Sequence, residues 1–365
     1  MKRLTEFDEL ADPSFSGAVV AWQKTHGRHA LPWQNTRDPY RIWLSEIMLQ
    51  QTQVAAVLGY YARFLEHFPT LQHLAGAAQE EVMAQWSGLG YYTRARNLHA
   101  CAKRVVAEYD GVLPSDPAQL VGLPGIGRST AAAVAAFSSG ARAAILDGNV
   151  KRVFARVFGI DQYPGEKKVE DALWKRAEAL LPETGIEAYT QGLMDLGATL
   201  CTRSRPDCAR CPLQQRCVAH ATGRTAQLPV RKPKKTIPEK QAALLIVLEG
   251  GQVLLEQRAQ SGIWGGLMSL PEVGGHGARG RVDEAALVVA AGAWGEVEEM
   301  QALLPLVHVF THYKLHIAPY KVALARRGVT PAQHVWWALA DIERAPLPAP
   351  VKMLLSEMAK PTLFT

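Results

Sequence analysis

Four of the five cysteines of this chain, Cys201, Cys208, Cys211 and Cys217, are separated by six, two and five residues. Four thiolates in so short a segment are a metal site: a structural zinc ion and a [4Fe–4S] cluster both accept them, and spacing alone leaves the two open. Cys101 lies far away and reads as a buried structural thiol. A second feature is built from backbone. Leu123-Pro124-Gly125-Ile126-Gly127 stands between two helical stretches. Its alternate glycines permit a tight turn and leave bare N–H groups at the next helix start, where the dipole favours an anion such as phosphate; the plain reading is only a turn. The carboxylates are the third feature. Asp147, before Gly148, reads as a helix N-cap. Glu46, in WLSEIMLQQTQV, shares a polar stripe with Gln50 and Gln53 at i, i+4 and i+7, opposite Ile47, Met48, Val54, Ala55 and Leu58. The plain reading of that stripe is a solvated face.

These groups need a scaffold. The chain has 365 residues, 48% hydrophobic, with 40 Lys+Arg against 34 Asp+Glu, a formal charge of +6. That length suggests two domains, and that composition excludes a disordered or fibrous chain. The longest aliphatic stretch, Ala242 to Leu248, is too short to span a bilayer. Cysteines clustered as metal ligands suit a reducing compartment, so a soluble cytoplasmic protein is expected, with no membrane partner. Residues 1–222 read as helical: Asp38–Leu58, Gln79–Trp86, Arg94–Tyr109, Arg128–Ser138 and Val169–Leu180 have helical apolar spacing. Asp38-Pro39 marks a helix start, Ser115 and Pro117 a weaker one, and Gly140 and Gly159 mark stops. Residues 223–240 are basic and proline-containing, a linker. From 241 to 365 a hairpin of AALLIVL and QVLLE, then extended runs at Leu306–Phe310 and Tyr313–Ala323, predict an α+β domain.

The C-x6-C-x2-C-x5-C pattern behind a helical domain resembles the endonuclease III family of DNA glycosylases, and LPGIGRST resembles the helix-hairpin-helix motif of the same superfamily. The resemblance implies an all-α glycosylase domain whose loop 201–217 holds a [4Fe–4S] cluster on the four cysteines. It implies that Gly125, Gly127 and Arg128 hold the DNA backbone without reading sequence, and that Arg203, Arg205, Arg210 and Arg216 face phosphates. It also makes Asp147 the active-site carboxylate, in a match that extends through Asn149 and Arg152.

WLSEIMLQQTQV further resembles the adenine-specific members, in which this glutamate is the catalytic acid. Breaking the bond to adenine expels a poor anionic leaving group. A protonated Glu46 would deliver a proton, at N7, while an ionised Asp147 shelters the oxocarbenium-like sugar. Bifunctional relatives have lysine where Ser129 stands, so an intact abasic site is expected. Gln34 departs from the arginine of some relatives. The resemblance nominates Gln51 and Tyr91 to fill the gap left by the flipped base, and Leu31, Trp33, Ser129, Asn149 and Asp195 as substrate-binding positions. The segment from Ser261 to Val273 resembles the start of a Nudix-like domain, yet the R-E-x2-E-E helix of a working Nudix hydrolase is missing. That domain is expected to recognise 8-oxoguanine through Phe310, Thr311 and His312, threonine replacing the family's serine. The implied partner is duplex DNA with an adenine opposite 8-oxoguanine or guanine, bound by a monomer, in a nucleoid-associated setting if bacterial. Competing readings are a bifunctional endonuclease III-type lyase, a non-catalytic iron–sulfur DNA-binding protein and a nucleotide hydrolase. Deamination lacks the H-x-E it needs.

Overall fold

The structure is a computed structural model that describes residues 10–232, 237–260, 262–274, 284–310 and 312–359. The chain divides into two compact units. Met1–Gly76 with Asn97–Lys234 form one, and Ala77–Arg96 with Lys235–Thr365 form the other.

In the first unit α1 (Pro13–His26) and α2 (Pro39–Leu49) each start on proline behind an aspartate cap. Asp12 accepts the amides of Ser14 and Phe15, and Asp38 that of Tyr40. The single helical stretch expected from Asp38 to Leu58 is broken. α2 ends at Leu49, Gln51 takes φ +57, and α3 (Val54–His67) begins anew. Gln50, Gln51, Thr52 and Gln53 offer no apolar side chain to hold a turn against the core, so Gln50 and Gln53 do not extend the face of Glu46. α4 (Leu71–Gly76) follows. α5 (Gln79–Trp86) and the first turn of α6 (Thr93–Glu108) fall in the second unit. α7 (Pro117–Val121) is capped by Asp116, not by Ser115, because only Asp116 accepts the Ala118 amide. The remaining helices are α8 (Arg128–Ser139), α9 (Gly148–Val157), α10 (Lys167–Ala179), α11 (Ile186–Asp195) and the short α12 (Val218–Ala221). α11 runs directly into a π-helical turn at Leu196–Leu200.

The core of this unit joins Phe15, Phe154, Leu173, Leu193 and Leu196, all at most 1% exposed. Ala131 to Ala136 of α8 are buried, and small side chains there let α2 pack closely. The stretch after 222 is not wholly a tether, since Leu228 is 3% exposed and its carbonyl accepts from Arg156 at 2.8 Å.

The second unit is built on a mixed sheet ordered β3-β2-β1-β7-β5, with β4 on β1, β6 on β7 and β8 on β2. β1 (Glu239–Glu249) runs parallel to β7 (Lys314–Arg327), and the other pairings are antiparallel. Ala242 to Val247 are buried in sequence, as a central strand covered on both faces requires. β2 (Gln252–Gln257), β3 (Met268–Ser269), β4 (Glu272–Val273), β5 (Gly295–Ala302), β6 (Leu306–Val309) and β8 (His334–Ala338) complete the sheet. Helices α13 (Glu284–Gly292) and α14 (Ala349–Met358) accompany it. Together the units give the helical domain and the strand-containing second domain expected from the sequence. Among the described residues no helix is long and apolar enough to cross a membrane.

Candidate active site

Asp147 caps α9 as its sequence context predicts. One carboxylate oxygen accepts the Val150 amide at 2.8 Å and the other accepts Asn149 Nδ2 at 3.3 Å. The Ser129 hydroxyl, at the start of α8, accepts the Leu146 amide at 2.9 Å and so fixes the strand of chain leading into Asp147. Arg152, one turn on, donates to Asn149 Oδ1 at 2.8 Å, to the Gly197 carbonyl at 2.7 Å and to the Cys201 carbonyl at 2.8 Å. A side chain on Gly197 would run into Asn149, so this glycine of the π-helical turn is what lets α9 approach. The cysteine loop is thereby connected through Arg152 and Asn149 to Asp147.

Glu46, on α2, is partly exposed, and its open side faces a cleft of about 840 Å³ that it lines with Asp147, Ser129, Asn149, Gln51 and Arg28. Burial, and secondly the charge on Asp147, push the Glu46 carboxyl up to about 8. Burial raises Asp147 as well, but the Val150 and Asn149 amides, the Asn149 side chain and Arg152 all oppose it. Glu46 has no such counterweights, so of this coupled pair Asp147 ionises first and Glu46 keeps its proton. Gln51, at φ +57, is exposed on the rim.

Glu46 and Arg28 also line a second cavity of about 340 Å³, with Gln23, Trp33, Gln34 and Gln191. Trp33 is 7% exposed and stands edge-on to Tyr61 at 5.2 Å. Asp195, expected at the pocket, stands behind it instead. It is fully buried, accepts Arg28 Nε at 2.7 Å, the Arg28 amide at 2.8 Å and Gln191 Nε2 at 2.8 Å, and thus aims Arg28. Leu31 lies outside both cavities, its amide donating to Gln34 Oε1 at 3.1 Å. Arg28 and Gln191 carry no local sequence signal, for they meet through an aspartate 167 positions from Arg28.

In the hairpin, Gly125 takes φ +76 against Asn97, and Gly127 caps α8 with open space beside it. Arg128 is already engaged, paired with Glu178 and stacked 3.9 Å over Trp174.

All four cysteines of the loop line one cavity. They surround it without converging on a point: among the described residues no three His, Cys, Asp or Glu side chains are placed to share one metal ion. Arg156, 2% exposed, donates to Cys201 Sγ at 3.3 Å and to the Thr202 carbonyl at 2.7 Å. Nothing in the sequence distinguished this arginine from its exposed neighbours. Of the arginines expected at phosphates, Arg203, Arg205 and Arg210 are exposed, but Arg216 is held by Asp12 and Ser14, each at 2.6 Å.

In the second unit Tyr91, Trp264, His308 and Phe310 line an aromatic pocket of about 170 Å³. Phe310 lies 4.5 Å from His308 and 5.9 Å from Trp264, ring to ring. Tyr91 is half exposed, at φ +50. His312 is exposed beside Tyr313, and Thr311 lies outside the described residues, as does Ser261. Trp264 and His308 were not expected there.

Residues 44–179 match the HhH-GPD superfamily base excision DNA repair protein, and residues 242–357 match the NUDIX domain. An adenine DNA glycosylase from Buchnera aphidicola subsp. Acyrthosiphon pisum is 33% identical over 95% of this chain and 98% of its own. The human adenine DNA glycosylase is 34% identical over 90% of this chain and 70% of its own. Among solved structures, a thermostable thymine-DNA glycosylase aligns with TM-score 0.53 and 31% identity over 57% of this chain and 95% of that one. A non-covalent endonuclease III–DNA complex, at 21% identity and TM-score 0.50 over 60% of this chain and 99% of that one, shares the fold. With the hairpin, the two carboxylates and the cysteine loop in place on that fold, the chain belongs to the adenine DNA glycosylase family of the HhH-GPD base excision DNA repair superfamily.

Proposed function

We propose that this enzyme hydrolyses the N-glycosidic bond of an adenine paired with 8-oxoguanine or guanine in duplex DNA and leaves an intact abasic site. The observation that carries the reading is the pairing of Glu46 and Asp147 on one cleft, where burial raises both carboxyls but only Asp147 has the Val150 and Asn149 amides and Arg152 to oppose the rise. The flipped adenine reaches past Asp147 toward Glu46, Arg28 and Gln191. Glu46 gives its proton to N7 as the C1′–N9 pair withdraws onto the base, so a neutral adenine leaves. Asp147, ionised and held by Asn149 and the α9 amides, steadies the positive C1′. Water adds its hydroxyl to C1′ and returns a proton to the Glu46 carboxylate. Ser129 supplies no amine, which favours simple hydrolysis over a Schiff-base route.

Cys201, Cys208, Cys211 and Cys217 line one cavity, with Arg156 donating to one of them, and are the residues that would hold a [4Fe–4S] cluster. Bound there, it would clamp the loop whose Cys201 carbonyl receives Arg152. Exposed Arg203 and Arg205, with the open Gly127 end of α8, suit DNA phosphates. The domain of 241–365 reads the opposite base through Phe310, Thr311 and His312, and the whole acts as a monomer.

Single-turnover assays on duplexes that differ only in the base opposite adenine test this. Alkali-labile sites should form fastest opposite 8-oxoguanine, more slowly opposite guanine and hardly opposite thymine, with no borohydride-trapped adduct. Equal rates on all three, or an adduct, would refute it.

A further inference from the structure

Glu46 and Arg28 line both of two cavities and so stand where they adjoin, a waist between the cleft that holds Asp147 and the chamber that holds Trp33 and Gln191. The chamber is not a blind end. Its interior is buried: Gln23 is 6% exposed, Ile42 2% and Ser45 1%. Its far rim is exposed, at His29, Asn35 and Arg37, with Arg37 paired to Glu187 across the opening at 2.8 Å. The cleft reaches solvent on its own side, at Gln51, Gln53 and Gly148. A volume of about 340 Å³ admits a free purine with room to turn.

We infer that the chamber is a passage with its own mouth, through which the excised purine base leaves while the abasic strand still fills the cleft. The inference rests on the proposed base excision and adds to it the order of product release. When the glycosidic bond breaks, sugar and phosphate remain on the Asp147 side, held by charge. The base has lost its tether and already lies beyond the waist, against Trp33 and the amides of Gln34 and Gln191. Return through the cleft requires the strand to lift; departure past Asn35 and Ala188 requires only side-chain motion at an exposed rim. Release of the base is therefore independent of release of the DNA.

The probe is free 2-aminopurine, whose fluorescence Trp33 quenches on contact. The full-length protein is first saturated with a duplex bearing a tetrahydrofuran abasic analogue, so that DNA covers the cleft. Quenching should still develop, at a rate within about threefold of that in DNA-free protein. Loss of quenching when the duplex is bound overturns the proposal. Asn35→Arg on the rim and Ala188→Leu, a partly buried residue of the same lining, should each slow entry at least fivefold. On a duplex with radiolabelled adenine they should slow escape of the label from the protein–DNA complex likewise, while bond cleavage stays within twofold. Unchanged escape in both variants also overturns it. Failure of the unsubstituted protein to make abasic sites at all is separately visible, and would remove the excision reading instead.

Discussion

In the helical unit Asp147 sits at a helix start and is held by Asn149, itself held by Arg152, whereas the aromatic pocket of the strand-rich unit has rings leaning on rings and, among the described residues, no carboxylate on its wall. The strand-rich unit matches the NUDIX domain over residues 242–357, yet the described residues of its helix offer few acids. Its helix α13 has a single acidic residue, Glu284, and exposes Val288 at 58% and Val289 at 75%. A magnesium-dependent hydrolase needs several carboxylates on such a helix. The contrast teaches that bond breaking demands buried charge held by fixed dipoles, while telling one base from another needs only shape, stacking and a few polar edges.

The sharpest way to break this contrast is to disarm the carboxylates. Asp147→Asn and Glu46→Gln should each lower single-turnover excision by about 10³-fold while duplex affinity, measured by anisotropy, stays within a few-fold. Near-normal turnover of Asp147→Asn would reduce that residue to a helix cap. The proton held by Glu46 gives the contrast a pH signature. The acid must be protonated, so kcat/KM should fall as pH rises through about 8, and Glu46→Gln should erase that limb. Stability carries the same sign. The unfolded chain ionises this carboxyl near its ordinary 4.5 and the folded chain only near 8, so folding weakens as pH climbs between the two. Glu46→Gln should therefore raise Tm more at pH 8 than at pH 5.

Weakening what holds the carboxylate should cost less than removing it. Arg152→Ala frees Asn149 and cuts the hydrogen bonds to Gly197 and Cys201, so excision should drop about 10- to 100-fold. DNA affinity should change less, and an unaltered rate would show that Asp147 is held by the α9 cap alone.

What the sequence revealed and what it concealed divide along a physical line. Asp147 was legible because an N-cap is a local signal, with aspartate, glycine and the first helical turn in one short string. The four cysteines were legible for the same reason. Glu46 was legible as a residue type on a helix, but its raised proton affinity comes first from burial and second from the charge on Asp147, about a hundred positions away, and no spacing encodes either. The polar stripe of Glu46, Gln50 and Gln53 misled because periodicity presumes a continuous helix, and α2 stops at Leu49. Asp195 was nominated for the pocket and instead aims Arg28; Arg156 was indistinguishable from solvated arginines until burial placed it beside Cys201. The inclusion of Ala77–Arg96 in the strand-rich unit has no compositional mark, since those residues are as helical in pattern as their neighbours.

The smallest expected effect belongs to the aromatic pocket of the strand-rich unit. Phe310 is partly exposed, and its ring is kept in place by His308 and Tyr313, at 4.5 Å and 4.7 Å. An aromatic contact of this kind is worth about 1 kcal/mol beyond the area it buries. Phe310→Ala should accordingly reduce the preference for adenine opposite 8-oxoguanine over adenine opposite guanine by about 5- to 10-fold, with little change in the rate opposite guanine. Trp264→Leu, which removes the ring beneath, should act in the same direction and more weakly. Were both pairs to slow equally, the aromatic pocket would be supporting the fold or the general hold on DNA. The separation between a unit that cuts and a unit that discriminates would then give way.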